Sequence, residues 1–277
     1  MTQAAVNPSG ASAPGGGAPL LQLRGITKTF GAVRALDNVD LDVSAGEVVA
    51  LVGDNGAGKS TLIKTVSGAG PADGGTITFD GREVHVRTPQ DSTHLGIAVV
   101  YQDLALCDNL DVVENLYLGR EARKRNHAFS RLNEVEMEQH TLELLDELQV
   151  KTLASVRTEV GSLSGGQRQS VAIARSLLGE PKLVILDEPT AALGVAQTAQ
   201  VLELVKRLRE RGLAVILISH NLNNVFAVAD RIVVLRLGRN GGEYTATPEH
   251  RQAVVAAITG VADDQHPVHV MTSEEEE

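Results

Sequence analysis

Apolar residues in this chain fall in short continuous runs separated by longer amphipathic stretches. Glu47–Val52, Leu183–Leu186, Ala214–Ser219 and Ile232–Leu235 are apolar at nearly every position, whereas a strand with one wet face alternates. Such runs predict strands covered on both faces, the condition of a parallel sheet. Leu20–Leu23, Val39–Val43 and Ile97–Tyr101 predict further strands. Between them, Lys59–Ser67 and Val195–Arg211 read as helices, and Glu134–Gln149 carries Leu142, Leu145 and Leu148 at helical spacing. No internal repeat is visible. The alternation predicts an α/β domain with a mostly parallel sheet, in which ligands gather where strand C-termini meet helix N-termini.

Composition narrows the class. Hydrophobic residues make up 43% of 277 positions, enough for a substantial core, and with only 3% aromatic residues and no Trp that core is aliphatic. A formal net charge of −10 opposes a nucleic-acid partner, whose binding rests on many Lys and Arg contacts to phosphate. The single cysteine, Cys107, rules out an internal disulfide and reads as a small apolar residue in a reducing compartment. No apolar run is long enough to span a bilayer, and the first residues lack a signal-peptide pattern. Work at a membrane therefore requires docking onto another chain. Residues 1–19, rich in Ala, Gly, Pro and Ser, and residues 261–277, closing on four glutamates, read as disordered tails. The eight histidines show no metal-ligand spacing, and His266 and His269 fall in the second tail.

The stretch Gly53-Asp54-Asn55-Gly56-Ala57-Gly58-Lys59-Ser60-Thr61 matches the phosphate-binding pattern GxxxxGK[ST], with a strand before it and a helix after it. Glycines let successive backbone N–H groups face one anion, and the helix N-terminus adds partial positive charge. Lys59 supplies a full charge for the terminal phosphates, and Ser60 a hydroxyl for Mg²⁺. A second feature is the run Leu183–Leu186 ending on Asp187 and Glu188. Two carboxylates at the end of a buried strand are costly unless a cation meets them. Asp187 is assigned to the metal and Glu188, whose side chain would point to the other face of the strand, to the attacking water. A third is Leu163-Ser164-Gly165-Gly166-Gln167, leading into an apolar-periodic helix near Arg168. It reads either as a second anion site or as an ordinary helix cap.

Taken in order, Gly53–Thr61, Gln102, Leu163–Gln167, Asp187–Glu188 and His220 resemble the motif set of ATP-binding cassette (ABC) ATPases over about Leu20 to Gly260. The resemblance implies a phosphate-loop NTPase fold: a mostly parallel core over residues 20–260, an antiparallel β subdomain and a helical signature subdomain over about 103–180. It implies ATP and Mg²⁺ as cofactors. Gln102 would contact the metal and water and sense a membrane partner, and His220 would touch the γ-phosphate. Phe30, where relatives often carry Tyr, would stack on adenine, its alternative being core packing. Ser164, Gly165, Gly166 and Gln167 would complete the site of a second subunit, so that two chains sandwich two ATP molecules. One departure stands out: the family's Ser-Ala-Leu-Asp is here Ala191-Ala192-Leu193-Gly194. Gly194 is either a tolerated variant or a mark of altered turnover.

Tyr101–Leu106, Asp111–Arg120, Thr190–Val195 and Ser219–Phe226 resemble the ATPases of ribose-, xylose- and fructose-type importers, and in particular those with one cassette per chain. That resemblance implies peripheral attachment at the cytoplasmic face of the cell membrane, an integral membrane permease, and, indirectly, a sugar-binding protein. It shows no C-terminal regulatory domain. Leu104, Leu106, Leu110 and Val112 read as a permease-helix groove or as core, and Arg120, Arg123, Lys124 and Arg125 as a lipid-facing cluster or a solvated face. Two other readings stay open: a cassette ATPase acting on ribosomes or DNA, and a weakly hydrolysing nucleotide sensor.

Overall fold

The computed structural model describes residues 18–124 and 131–261. The expected tails, apart from their innermost residues, and with them His266, His269 and also Arg125, lie outside the described residues. Among the described residues no helix is long and apolar enough to cross a membrane.

The chain opens with β1 (Leu21–Phe30) and β2 (Val33–Val43), then β3 (Val48–Val52) and α1 (Lys59–Val66). Next come β4 (Gly74–Phe79), β5 (Arg82–Val84), α2 (Pro89–Leu95) and β6 (Ile97–Val100). Three helices follow, α3 (Val112–Tyr117), α4 (Glu134–Glu147) and α5 (Gly165–Leu177), before β7 (Leu183–Asp187), α6 (Val195–Glu210) and β8 (Ala214–Ile218). The described part closes with α7 (Leu222–Val228), β9 (Arg231–Arg236), β10 (Arg239–Thr245) and α8 (Arg251–Thr259).

Two sheets result. One is antiparallel, in the order β2-β1-β4-β5; the other runs β10-β9-β3-β8-β7-β6 and is parallel except for the edge strand β10. The strands that are apolar throughout occupy the middle of the parallel sheet, as their two-sided burial requires. Alternate side chains separate the cores. Val184, Leu186, Val215 and Leu217 pack with α3 to α6 on one face. Leu183, Ile185, Ile216 and Ile218 pack on the other with α1 and the antiparallel sheet. The third cluster seats α7 and α8 on β9.

The helix over Glu134–Glu147 buries two of the three leucines expected on its apolar face, Leu145 and Leu148, but not Leu142. Met137, Thr141, Leu144 and Leu145 point inward with Leu148, whereas Leu142 is half exposed. Positions 137, 141, 144, 145 and 148 share one side of a 3.6-residue helix, and Leu142 lies off it.

One buried charge joins the sheets. Arg231, 8% exposed, donates from Nε to Glu47 Oε1 at 2.9 Å, from Nη1 to Glu243, and from Nη2 to the carbonyl of Asp42 in β2. Removing one member of such a network strands the others. Arg231→Met is expected to destabilise the fold by about 3 kcal/mol, read as a lowered melting temperature in a thermal scan.

Candidate functional site

Register places four segments abreast. Leu51 pairs with Ile218, and Ile218 with Asp187, across neighbouring parallel strands. The segments leaving β3, β7 and β8 therefore emerge together, and β6 lies beside β7. They line one cavity of about 340 Å³, bounded by Asn55 to Thr61, Gln102, Asp187, Glu188 and His220, with Ala35, Ala191 and Ile218.

The loop after β3 depends on its glycines for space as well as for dihedral freedom. A Cβ on Gly53 would lie 2.1 Å from the carbonyl oxygen of Leu235; one on Gly58, at φ 104°, would lie 2.8 Å from that of Ala35. Gly58 stands at the start of α1, so the free N–H groups of the first turn face the cavity mouth. Lys59 Nζ donates to the carbonyls of Gly53 at 2.7 Å and Asp54 at 3.0 Å, which seats the ammonium inside the loop. Burial lowers the Lys59 pKa, and the carboxylates of Glu188, Asp54 and Asp187 oppose that shift.

The acidic pair departs from the expected strand alternation. Asp187 ends β7, but Glu188 adopts φ 50°, which turns it so that both carboxylates face the same cavity. The turn is held by a bond from Glu188 N to the carbonyl of Ile218, 3.0 Å. Glu188 Oε2 lies 2.9 Å from His220 Nδ1, but the approach lacks hydrogen-bond alignment, and this buried oxygen has no donor. The Asp187 pKa is raised, first by burial and then by the charge of Glu188, with Lys59 opposing. The folded chain thus holds the Asp187 proton to higher pH than the unfolded chain does. Stability falls as pH rises from the ordinary carboxylate value through the raised one. Asp187→Asn is expected to flatten that acid-side slope of the nucleotide-free melting curve and to raise the melting temperature at neutral pH.

Two carboxylates face one ammonium here, and one carboxylate oxygen has no donor. That excess of negative charge fits a divalent cation, and Ser60 Oγ, the Gln102 amide and Asp187 are among the oxygen groups lining the cavity that would hold it. Among the described residues no group of three or more His, Cys, Asp or Glu is arranged as a metal cluster.

Ser164 to Gln167 do not line this cavity. The helix begins at Gly165 rather than near Arg168, because Ser164 caps it: Ser164 Oγ accepts from Gln167 N, and Gln167 Oε1 accepts from Ser164 N at 2.8 Å. Cap and anion site are compatible, since Ser164 and Gly165 remain exposed. Phe30 is 55% exposed, which rules out core packing. It pairs with Val33, two residues before the cavity-lining Ala35, at the tip of the β1–β2 hairpin. Ala35 and Ala191 were not foreseen; small apolar residues carry no chemical signal in a sequence.

Beyond Gln102 the chain borders a separate groove of about 290 Å³, lined by Tyr101, Asp103, Leu104, Ala105, Arg120 and Arg175 among others. Arg175 Nη1 donates to the carbonyl of Ala105 at 2.8 Å and fixes that wall. Of the four apolar residues expected to line a groove, Leu104 alone does so. Leu106 packs on the main core and Val112 is fully buried as the first residue of α3. Arg120, Arg123 and Lys124 are exposed. Cys107 is half-buried, its backbone held by the buried Asn115 amide.

Residues 36–191, which hold the phosphate loop, Gln102, Ser164–Gln167 and both carboxylates, match the ABC transporter family. The chain belongs to the ABC transporter family. As an ABC-type cassette it is an ATP-binding ATPase. It is 45% identical over 88% of its length to the fructose import ATP-binding protein FrcA of Rhizobium meliloti, covering 95% of that relative. It is 47% identical over 79% of its length to the xylose/arabinose import ATP-binding protein XylG of Sulfolobus acidocaldarius, covering 86% of that relative. It spans about half the length of the ribose import ATP-binding protein RbsA 1 of Rubrobacter xylanophilus, at 41% identity. Among solved structures, the ADP conformation of an ATP-binding cassette of an ABC transporter superposes with a TM-score of 0.76 at 28% identity, covering 88% of this chain and all of that one. A dimeric, post-hydrolysis cassette bound to ADP and Pi gives 0.68 at 27% identity over 82% of this chain and 99% of that one.

Proposed function

We propose that this ABC ATPase drives a monosaccharide importer, with fructose the leading candidate substrate. The similarity to FrcA across nearly all of both chains carries that reading. The cavity supports ATP hydrolysis in chemical detail. In the bound state the loop N–H groups and Lys59 hold the phosphates, Ser60, Gln102 and Asp187 hold Mg²⁺, and Phe30 stacks on adenine. Mg²⁺ when bound neutralises charge on the transferring phosphoryl group. Glu188 orients the attacking water and takes up its proton through the oxygen left without a donor. His220, exposed at the rim beside Glu188, reaches the γ-phosphate.

Two copies of the chain complete the machine. Ser164 to Gln167, with Ser164 and Gly165 exposed and the segment away from the chain's own phosphate loop, supply a second anion site to the partner's ATP; the dimeric cassettes of similar fold support that assembly. The groove beside Leu104 and Ala105 receives an integral membrane permease, which places the chain at the cytoplasmic face of the membrane; a sugar-binding protein acts upstream. Gln102 sits between cavity and groove and links the two. Deleting the gene should abolish accumulation of labelled monosaccharide, and the wild-type chain but not Glu188→Gln should restore it. Unchanged uptake of fructose, xylose and ribose in the deletion strain would contradict the importer reading.

A further inference from the structure

Gly194 leaves the start of α6 without a capping side chain, and the structure shows what stands in its place. Gln197, on the first turn, reaches back so that its Oε1 accepts from Gly194 N at 3.2 Å. The same side chain packs against the signature segment: a Cβ on the buried Gly166 would lie 3.0 Å from Gln197 Cβ and 3.2 Å from its Cγ. The neighbouring Gly165 faces Leu193 equally closely, at 2.9 Å. Following the chain back from Gly194, Leu193 N donates to the carbonyl of Thr190 at 3.4 Å and Ala191 N to that of Glu188 at 3.0 Å. Thr190 is tied by its hydroxyl to Asn224 Nδ2 at 3.0 Å. Consecutive turns therefore run from the Glu188 backbone carbonyl to Gln197, and Gln197 packs against the glycines after Ser164.

We infer that Gln197 is a positioning residue for hydrolysis. It locks the turn carrying Glu188 to the signature glycines, holding the Gly194 N–H from the first turn of α6 while packing against Gly166. An Asp or Asn at a helix cap accepts from the N–H groups two or three residues on. Gly194 has no such oxygen, and its N–H is instead held from Gln197. The two bonds use different donors, as in the reciprocal pair of Ser164 and Gln167, so an acid at position 194 would fix the same joint independently of Gln197. Position 194 has φ −69° and open space around a Cβ, nearest to Gln197 Oε1 at 3.9 Å, so an aspartate fits there without backbone strain. The inference rests on the assignment of Glu188 to water activation and on the paired-subunit arrangement.

The test is a rescue series on the full chain. Gln197→Ala is expected to lower kcat about tenfold while ATP affinity, measured by calorimetry on the isolated subunit, stays unchanged. Gln197→Met, which keeps the contact with Gly166 but loses the acceptor, should fall as far. Adding Gly194→Asp to Gln197→Ala should restore most of kcat. A residue that only stabilised the fold would lower the melting temperature and leave kcat at 25 °C in place. An unchanged kcat in Gln197→Ala, full activity in Gln197→Met, or no recovery in the double variant overturns the inference. In a Glu188→Gln background, an ATP-dependent dimer that forms with Gln197 present and weakens with Gln197→Ala supports it. Failure of that background to dimerise at all would count against the paired-subunit reading, whereas equal dimerisation with and without Gln197 counts against the inference alone.

Discussion

Glu188→Gln lowers ATP turnover by about a hundredfold to a thousandfold and leaves ATP binding at wild-type strength. The amide keeps the shape and the backbone turn at φ 50°, so Asp187 and Lys59 stay in place. It removes the carboxylate proposed to take a proton from water at the γ-phosphate. It also removes a negative charge that faces the phosphates. ATP therefore binds without being consumed, and two subunits remain closed on it, a state that gel filtration with ATP resolves from the monomer. Wild-type turnover in this variant would take Glu188 out of its role. Loss of ATP binding would instead make it a structural carboxylate.

Lys59→Ala acts one step earlier. The ammonium is already seated on the Gly53 and Asp54 carbonyls, so the charge meets the phosphates preorganised. Its removal costs about one strong charge-assisted bond, roughly 3 kcal/mol, or about a hundredfold in ATP affinity. It also leaves Asp187 and Glu188 facing each other without their cation, which raises the Asp187 pKa further and destabilises the nucleotide-free chain near neutral pH. Isothermal titration with Mg-ATP and a thermal scan at two pH values read both effects. A variant that still bound ATP as tightly as wild type would place the phosphates elsewhere.

The parts of this site that were legible beforehand are those in which chemistry forces a residue type at a fixed spacing. Gly53 and Gly58 are required by backbone approach, Lys59 and Ser60 by phosphate and metal, and Asp187 by a strand that ends on a charge. Apolar runs gave the parallel strands because two-sided burial leaves no polar position in them. The antiparallel sheet was harder to read. In β4, Gly74 and Gly75 open the strand and polar residues alternate, so no strand is expected there; its pairing with β1 comes from long-range contacts. The turn at Glu188 was misread because alternation was carried one residue past the strand, where a left-handed conformation cancels it. Gln197 was invisible, since a glutamine on a helix is ordinary until its partner at position 194 is seen to lack a side chain.

The proposed partner of this ATPase is a membrane permease. The most direct measurement is a pull-down of the tagged chain from detergent-solubilised native membranes, with partners identified by mass spectrometry. Recovery of a polytopic membrane protein, in a complex whose ATPase rate changes when the permease is present, is the predicted result. Recovery of ribosomal or DNA-bound proteins with no membrane protein would contradict it and leave an ATPase of another kind.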